Sequence, residues 1–342
     1  MGSIGMATSP LDLEIRRIVT DSDLDGVVTA AILRRWWPGA EVIFGHPGEL
    51  RAGLLDGQMD RNTAVCDLPR HPDCGLSIDH HQTNEPSEDD ESGPVVVWRN
   101  TPSAARIAYE LVSERVDLSD LDDLLMWVDK LDGGRVTREE YLSDHPAVWL
   151  GRVIDVGEGT AMRVLESLQG GEDIRKILSD SDIAPRVAER RDQRVALTQV
   201  ILERVYVEDR LAIARLEDIG MRSNGYHVTA LVGDACDACV IIHGNVGAVF
   251  GEERGYPVSA SFYTNSFLHP DGGIYDLTRL ATRFDPDGGG HANACGCRIQ
   301  PLKDRRVEKR GVVDSDIEAN LAAWLGIWAE RRSQNGQQIE ES

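Results

Sequence analysis

Three short apolar runs in the N-terminal part of the chain each end in acidic residues. Runs of this kind are typical of buried parallel strands, whose carboxyl ends meet at one edge of a sheet. We therefore expect the polar residues that follow the runs to lie close together. The runs and their polar endings are Ile18-Val19-Thr20 before Asp21-Ser22-Asp23-Leu24-Asp25-Gly26, Ala64-Val65-Cys66 before Asp67, and Leu76-Ser77-Ile78 before Asp79-His80-His81.

This set of side chains favours a site for divalent cations. Carboxylate oxygens with one or two imidazoles suit Mn²⁺ or Mg²⁺, whereas zinc sites more often use thiolates or several histidines. Two such ions roughly 3.5–4 Å apart can hold a phosphate group and promote its hydrolysis. A helix cap explains any one of these aspartates equally well, but not the ordered set. The pattern predicts hydrolysis of a phosphoester or phosphoanhydride.

These motifs resemble those of the DHH phosphoesterases, which are named after the tripeptide found here at Asp79-His80-His81. The segment from Ile18 to Val27 is similar to the first motif of the RecJ-type branch, and Val65-Cys66-Asp67 is similar to the second. Gly288-Gly289-Gly290-His291 resembles the signature of the DHH-associated substrate-binding domain. The resemblance extends over both predicted domains.

The resemblance implies two bound Mn²⁺ ions, with Mg²⁺ or Co²⁺ as substitutes. Asp23, Asp25 and His80 would be ligands, and Asp67 would bridge the two ions. A further acidic ligand is expected near the end of a helix, where Asp129 and Asp132 both remain candidates. The candidate catalytic residues are Asp67, Asp79 and His81, of which His81 would contact the phosphate.

Val19 stands where many small members of the family carry a histidine. This departure could weaken one metal site or leave Asp21 to compensate.

The glycine run and two arginines before it are the candidate substrate contacts. Residues without side chains let backbone N–H groups approach a phosphate or base, and His291 adds a donor. Arg279 and Arg283 are spaced for one face of a predicted helix over 276–284 and could reach a terminal phosphate or ribose. A tight connection and a solvated helix face are the plainer explanations. Phe262-Tyr263-Thr264 lacks an arginine that family members often place there, which leaves the substrate class open.

Alternating strand and helix patterns predict an α/β fold. We expect a parallel-sheet N-terminal DHH domain, joined by a helical linker to a smaller α/β C-terminal domain with a mixed sheet. The predicted boundaries are 12–158 for the catalytic domain, 159–206 for the linker, 207–330 for the substrate-binding domain and 331–342 for a disordered tail. Predicted helices cover 28–37, 104–114, a segment capped by Ser119 and ending near Asp132, and 184–205; predicted strands cover 211–214, 228–232, 240–242 and 258–263.

Charge and cysteine content limit the partners. The 342 residues include 58 acidic and 36 basic ones, a formal net charge of -22, which opposes attachment to long nucleic acid or an anionic membrane. No apolar run is long enough to span a bilayer. With no leading apolar segment, the six cysteines indicate a reducing cytoplasm. Cys236, Cys239, Cys295 and Cys297 are expected to be buried thiols rather than zinc ligands.

We therefore predict a Mn²⁺-dependent phosphohydrolase or phosphodiesterase for short oligonucleotides or small phosphorylated nucleotides. An exopolyphosphatase and a RecJ-like 5′ exonuclease are the alternatives within the same chemistry. A nucleotide-binding sensor without turnover is the alternative outside it. No stable complex with long DNA or a membrane is expected, and a homodimer stays open.

Overall fold

The computed structural model of the chain describes residues 9–87, 93–154, 157–248 and 256–331. They divide into two compact units: residues up to Val136 with Ser143–Arg191 form unit 1, and Thr137–Leu142 with the residues from Asp192 onward form unit 2. From residue 332 the predicted tail lies outside the described residues.

Unit 1 is built on a five-stranded sheet in which every neighbouring pair is parallel. The strand order β2-β1-β3-β4-β5 places the first strand between the second and third. The parallel N-terminal sheet predicted from the sequence is thus confirmed. The strands are β1 Arg17–Asp21, β2 Glu41–Gly45, β3 Thr63–Cys66, β4 Leu76–Asp79 and β5 Val95–Trp98.

Helices cover the sheet of unit 1 and fill its main core. Alternate strand residues such as Ile18, Cys66 and Ile78 face these helices, while Val19 and Val65 belong to a smaller cluster. Val164, Leu165 and other residues of the predicted linker are part of the main core. The helices of unit 1 are α1 Leu24–Trp36, α2 Pro47–Arg51, α3 Ala104–Val112, α4 Asp122–Asp132, α6 Pro146–Ile154, α7 Glu158–Gln169 and α8 Ile174–Leu178. Between α4 and α6, helix α5 Arg138–Leu142 belongs to unit 2. The division between the units falls within α9 Ala184–Arg204.

Unit 2 is built on a mixed sheet with the order β10-β11-β9-β8-β7-β6. Only β7 and β8 run parallel among its described strand pairs. The predicted mixed sheet of the C-terminal part is confirmed. The strands are β6 Val205–Glu208, β7 Leu211–Arg215, β8 Ala238–His243, β9 Ser259–Thr264, β10 Gly289–His291 and β11 Ala294–Arg298, and a separate hairpin is formed by β12 Leu302–Lys303 and β13 Arg306–Val307.

Side chains of β7 and β8 alternate between two cores of unit 2. Ile213 and Val240 pack with Trp324 and Trp328, whereas Ala212 and Ile241 pack with Val228. This period of two is the pattern of a sheet covered on both faces. The helices of unit 2 are α10 Gly225–Val232, α11 Thr278–Ala281 and α12 Asp314–Ala329.

Several predicted elements need correction. Residues 228–232 lie in α10 and not in a strand, because Asn224 caps a helix there by accepting a hydrogen bond from the His227 N–H. Ser119 is not a helix cap, since it lies in a 3₁₀ turn and α4 begins at Asp122. The glycine run forms an edge strand, and the helix predicted over 276–284 is reduced to α11.

Within the described residues, no helix is both long enough and apolar enough to cross a membrane.

Candidate metal centre

Asp23 and Asp25 are positioned by the start of α1. The Asp23 carboxylate caps this helix by accepting a hydrogen bond from the Gly26 N–H at 2.9 Å. As a result the helix begins four residues earlier than predicted, and Asp25 lies in its first turn. Gly26 permits this tight entry, because a Cβ there would lie 2.2 Å from the carbonyl oxygen of Asp21.

Asp25 is almost completely buried, with 1% of its surface exposed. Its two oxygens accept hydrogen bonds of 2.7 Å from the N–H groups of Ala104 and Ala105, where α3 begins. Burial, together with the charges of Asp132 and Asp23, nevertheless raises the pKa of Asp25 well above its usual value. The N–H groups at the start of α3 therefore fix the position of the Asp25 carboxylate, but they do not offset the effect of burial and neighbouring charges on its pKa.

Asp67 follows β3 in a left-handed backbone conformation, with φ of 56°. Its N–H donates to the carbonyl oxygen of Ile78 at 2.9 Å, which ties it to β4. The side chain is 4% exposed, and its Oδ1 is buried without a hydrogen-bond partner. Burial and the charge of Asp25 raise the pKa of Asp67 well above its usual value. An unpaired buried carboxylate oxygen is costly unless a cation is near.

Asp79 ends β4 and holds the chain that follows it. Its Oδ1 accepts hydrogen bonds from the N–H groups of His80 and His81 and lies 2.8 Å from His81 Nδ1, while its Oδ2 accepts from Asn84 at 2.5 Å. Burial alone would raise the pKa of Asp79, but the hydrogen bonds, above all that from His81, lower it overall. The same hydrogen bond raises the pKa of His81, which remains about half exposed. Asp79 thus orients His81 instead of facing the other carboxylates.

His80 faces three carboxylates with one ring nitrogen. Its Nδ1 lies 3.1 Å from the carbonyl oxygen of Thr101, which can only accept, so Nδ1 carries the hydrogen. Its Nε2 lies 3.2 Å from Asp132 Oδ2, 3.5 Å from Asp67 Oδ1 and 3.7 Å from Asp25 Oδ2. Burial and His81 lower the pKa of His80, which favours the neutral ring with a lone pair on Nε2.

Asp132 and Asp129 lie one turn apart on α4 and have different environments. Burial and the charge of Asp23 raise the pKa of Asp132, which lies beside His80, to about 7. Asp129 instead accepts hydrogen bonds from Ser103 Oγ at 2.7 Å and from Arg106 Nε at 3.0 Å. The structure therefore places Asp132 in the cluster and gives Asp129 an arginine partner.

Asp21 borders the cluster and has a histidine neighbour that sequence reasoning missed. His46 follows β2, and its Nδ1 lies 3.4 Å from Asp21 Oδ1. Burial and the charge of Asp23 raise the pKa of Asp21. Val19 is fully buried in the sheet. An imidazole thus reaches Asp21 from the neighbouring strand and not from position 19.

Two groups of side chains in the described part of the chain have ligand atoms within 4.8 Å of one another. One comprises Asp67, His80 and His81, and the other comprises Asp25, His80 and Asp132. Carboxylate oxygens and neutral imidazole nitrogens are a donor set that suits Mn²⁺ or Mg²⁺. The unpartnered atoms Asp67 Oδ1 and His80 Nε2 lie on the inside of this set. The residues therefore fit divalent cations.

The glycine run has a packing role in unit 2. Gly290 has φ of 134°, and a Cβ there would lie 2.7 Å from the carbonyl oxygen of Ala294 on the paired strand. At Gly289, in contrast, a Cβ would meet no atom within 4 Å. Close strand pairing therefore explains Gly290. The backbone at Gly289 is open, and the exposed His291 lies two residues further along the chain.

The remaining candidates also lie in unit 2. The guanidinium groups of Arg279 and Arg283 each lie 5.4 Å from an aromatic ring, that of Tyr275 and that of Phe284 respectively, and both line one surface groove. The four cysteines of the C-terminal part are in neither group of potential metal ligands; Cys236, Cys239 and Cys295 are buried and Cys297 is half-buried.

Sequence reasoning missed three supporting residues, His46, Asn84 and Thr101. Asn84 and Thr101 act on the cluster through Asp79 and His80. Only the position of Asn84 just after Asp79-His80-His81 could have drawn attention to it, because Thr101 contributes a backbone carbonyl that any residue has.

Solved structures resemble the chain over most of its length. A pGpG-specific phosphodiesterase, PggH, from Vibrio cholerae is 22% identical, with a TM-score of 0.70 over 91% of this chain and 99% of that one. A DHH domain, described as that of a member of a family of ribosomal proteins, is 14% identical, with a TM-score of 0.51 over 91% of this chain and 87% of that one. No protein-family model and no curated protein sequence matches the chain. The likeness shows the fold, and the prediction of a DHH-type fold is confirmed.

Proposed function

We propose that this chain is a divalent-metal-dependent phosphoesterase. The observation that carries the proposal is the position of His80, whose Nδ1 lies 3.1 Å from the carbonyl oxygen of Thr101 and whose Nε2 lies within 3.7 Å of three carboxylates. A lone pair and several anionic oxygens repel one another unless a cation lies between them. The raised pKa values of Asp25, Asp67 and Asp132 favour bound protons in the same place when no metal ion is bound.

We assign the metal-binding role to Asp23, Asp25, Asp67, His80 and Asp132. Two Mn²⁺ ions would supply neutralisation of the phosphate oxygens and a water of lowered pKa. Asp67 Oδ1 lies 3.5 Å from His80 Nε2 and 3.8 Å from His81 Nδ1. This position between the two histidines suits a ligand that two metal ions would share. Asp129 is occupied by Arg106 and would position α3 against α4.

His81 is our candidate for the group that contacts the phosphate. Its ring is held by Asp79 through Nδ1, which leaves Nε2 as the second ring nitrogen. The pKa of His81 is raised, so more of the ring is protonated near neutral pH than in a free histidine. A protonated Nε2 can donate to a phosphate oxygen or pass its proton to the departing oxygen.

We infer that the substrate is short. The net charge of -22 opposes sustained contact with a long polyanion. The structural neighbour from Vibrio cholerae is described as specific for pGpG, a 5′-phosphorylated dinucleotide. We therefore propose a short oligonucleotide or small phosphorylated nucleotide, with Gly289 and His291 among its contacts. We also propose a reducing, cytoplasmic location, which the six free cysteines support.

The test is release of mononucleotide or phosphate by purified protein after EDTA treatment and addition of Mn²⁺. The substrates are pGpG, 3′-phosphoadenosine 5′-phosphate, polyphosphate and long single-stranded DNA. We expect metal-dependent turnover of one of the small nucleotides. His80→Gln should lose at least about 10–100-fold in activity, since removal of a ligand should cost no less than removal of a residue that only orients a ligand. The matched control is His71→Gln, which removes a histidine 3.3 Å from Asp56 in the same unit and should retain activity.

The outcomes separate the alternatives. Turnover of polyphosphate or long DNA that requires His80 would contradict the short-substrate proposal while keeping the metal centre. Binding of a nucleotide without turnover under any metal would contradict the enzyme and favour a sensor. Equal activity in His80→Gln and in the wild type would overturn the metal assignment.

A further inference from the structure

Unit 2 contains a groove of about 600 Å³ whose lining is rich in arginine. Arg279 and Arg283 come from α11 and the turn after it, and Arg305 comes from the hairpin of β12 and β13. Residues of α12, among them Gly326 and Glu330, complete the lining. We call this feature the arginine groove. It brings three guanidinium groups together in a chain with a net charge of -22.

The charge of the arginine groove is only partly balanced. In the part of the chain that the structure describes, neither Arg283 nor Arg305 forms an ion pair. The Arg283 guanidinium instead lies over the ring of Phe284. Glu330 is the acidic residue of the lining. Arg283 and Arg305 therefore contribute two positive charges that no ion pair among the described residues balances.

The backbone fixes where Arg305 lies. Asp304 and Arg305 form the two-residue turn of the hairpin, and both have left-handed φ values, of 49° and 60°. Such a turn is tight and sets the direction of the strands on either side. Arg305 is thus held at the groove by a stiff connection and not by a flexible loop.

The α12 side of the groove is open. A Cβ at Gly326 would meet no atom within 4 Å, so nothing from the described residues covers this position. The volume lies within the range of about 300–1,000 Å³ that is typical of small-molecule sites. The groove therefore has both the room and the charge for a small anion.

We propose that the arginine groove binds a small ligand with two or more phosphate groups. Guanidinium groups recognise phosphate oxygens through paired, charge-assisted hydrogen bonds. The two positive charges of Arg283 and Arg305, which have no ion-pair partner among the described residues, favour a diphosphate over a single carboxylate or phosphate. The sequence alone suggested Arg279 and Arg283 as contacts of the reacting substrate; with Arg305 they form a site that contains none of the proposed metal ligands. The inference is independent of the proposed activity.

The probe is pyrophosphate, titrated calorimetrically into the full chain in EDTA, so that no metal ion is present to bind it. We expect saturable binding of one pyrophosphate per chain, weakened at least tenfold in Arg305→Asn. Asparagine is chosen because it tolerates a left-handed backbone better than alanine does. The matched control is Arg306→Asn, which removes an exposed arginine that is next in sequence but does not line the groove.

A second pair of variants tests the same site without removing an arginine. Gly326→Glu adds a negative charge beside the open space and should weaken pyrophosphate binding at least tenfold, whereas Gly326→Gln has the same size and should not. Both replace a helical glycine, which favours the folded state. ADP in place of pyrophosphate separates the sources of the ligand: tighter binding of ADP identifies a nucleotide, and equal binding identifies recognition of the phosphates alone.

Absence of saturable pyrophosphate binding would overturn the inference. Equal losses of pyrophosphate binding in Arg305→Asn and Arg306→Asn would also overturn it, because they would show that any positive charge in the hairpin has the same effect. Equal losses in Gly326→Glu and Gly326→Gln would overturn it as well, because they would show an effect of replacing the helical glycine and not of the added charge.

Discussion

The exchange of Asp132 for asparagine should stabilise the protein when metal is absent. Asp132 and Asp25 have ligand atoms within 4.8 Å of each other. Each unit by which burial and neighbouring charges raise the pKa of a carboxyl group disfavours its charged form by about 1.4 kcal/mol. Burial and the charge of Asp23 raise the pKa of Asp132 from 3.8 to about 7, so the folded chain disfavours its charged form by about 4 kcal/mol. Asp132→Asn removes this charge while keeping the shape of the side chain, so we expect a gain of about 1–3 kcal/mol at pH 8.

The gain depends on pH in a defined direction. Between the usual pKa of 3.8 and about 7, the folded chain retains a proton on Asp132 that the unfolded chain has released. The stability of the wild type therefore falls as pH rises through this interval, and the full penalty is present above it. Asp132→Asn should thus differ little from the wild type near pH 4 and most at pH 8.

Asp129→Asn is the control, one turn earlier on the same helix. Asp129 is paired with Arg106 and Ser103, so its exchange should destabilise the protein by about 1–2 kcal/mol. Thermal unfolding in EDTA at pH 4 and pH 8 measures both variants, with about 2–4 °C expected per kcal/mol for a unit of this size. Destabilisation by Asp132→Asn at pH 8 would refute the reasoning.

Two further predictions concern the same centre. Mn²⁺ binding near neutral pH should release protons and tighten as pH rises to 8, because the ion competes with the proton of Asp132, whose pKa is about 7. Calorimetry in two buffers of different ionisation enthalpy measures the number of protons released. A Mn²⁺ affinity that does not depend on pH would contradict the expectation. Gly26→Ala should cost more than about 3 kcal/mol, because its Cβ would lie 2.2 Å from the carbonyl oxygen of Asp21. The variant should also lose the increase in melting temperature caused by Mn²⁺, and wild-type behaviour in the same unfolding assay would disprove the tight entry to α1.

The sheet edge of unit 1 could be predicted from the sequence because the strands are short, apolar and directly followed by their polar residues. Asp67 and Asp79 follow from the strand ends alone. The choice between Asp129 and Asp132 could not be made, because both lie on one helix. Their environments differ through Ser103 and Arg106 beside Asp129 and through His80 beside Asp132. Such pairing depends on tertiary packing, which local patterns do not contain.

Two errors in the fold have local causes. Residues 228–232 are a short apolar run, and periodicity over five residues does not distinguish a buried strand from a buried helix. The cap at Asn224 was the available signal for α10. Near Ser119, the Asp117 carboxylate accepts a hydrogen bond from the Ser119 N–H, so the aspartate and not the serine organises the turn before α4.

The anchoring of Asp25 has a consequence for how this protein can diverge. Its carboxylate is held by the N–H groups of Ala104 and Ala105, which are main-chain atoms. Any residue except proline supplies such a donor, and the side chains at these two positions are restricted only by the space around them. Amino-acid exchanges can therefore accumulate at the start of α3 without moving the carboxylate. A centre held in this way can keep its geometry while the surrounding sequence drifts to low identity.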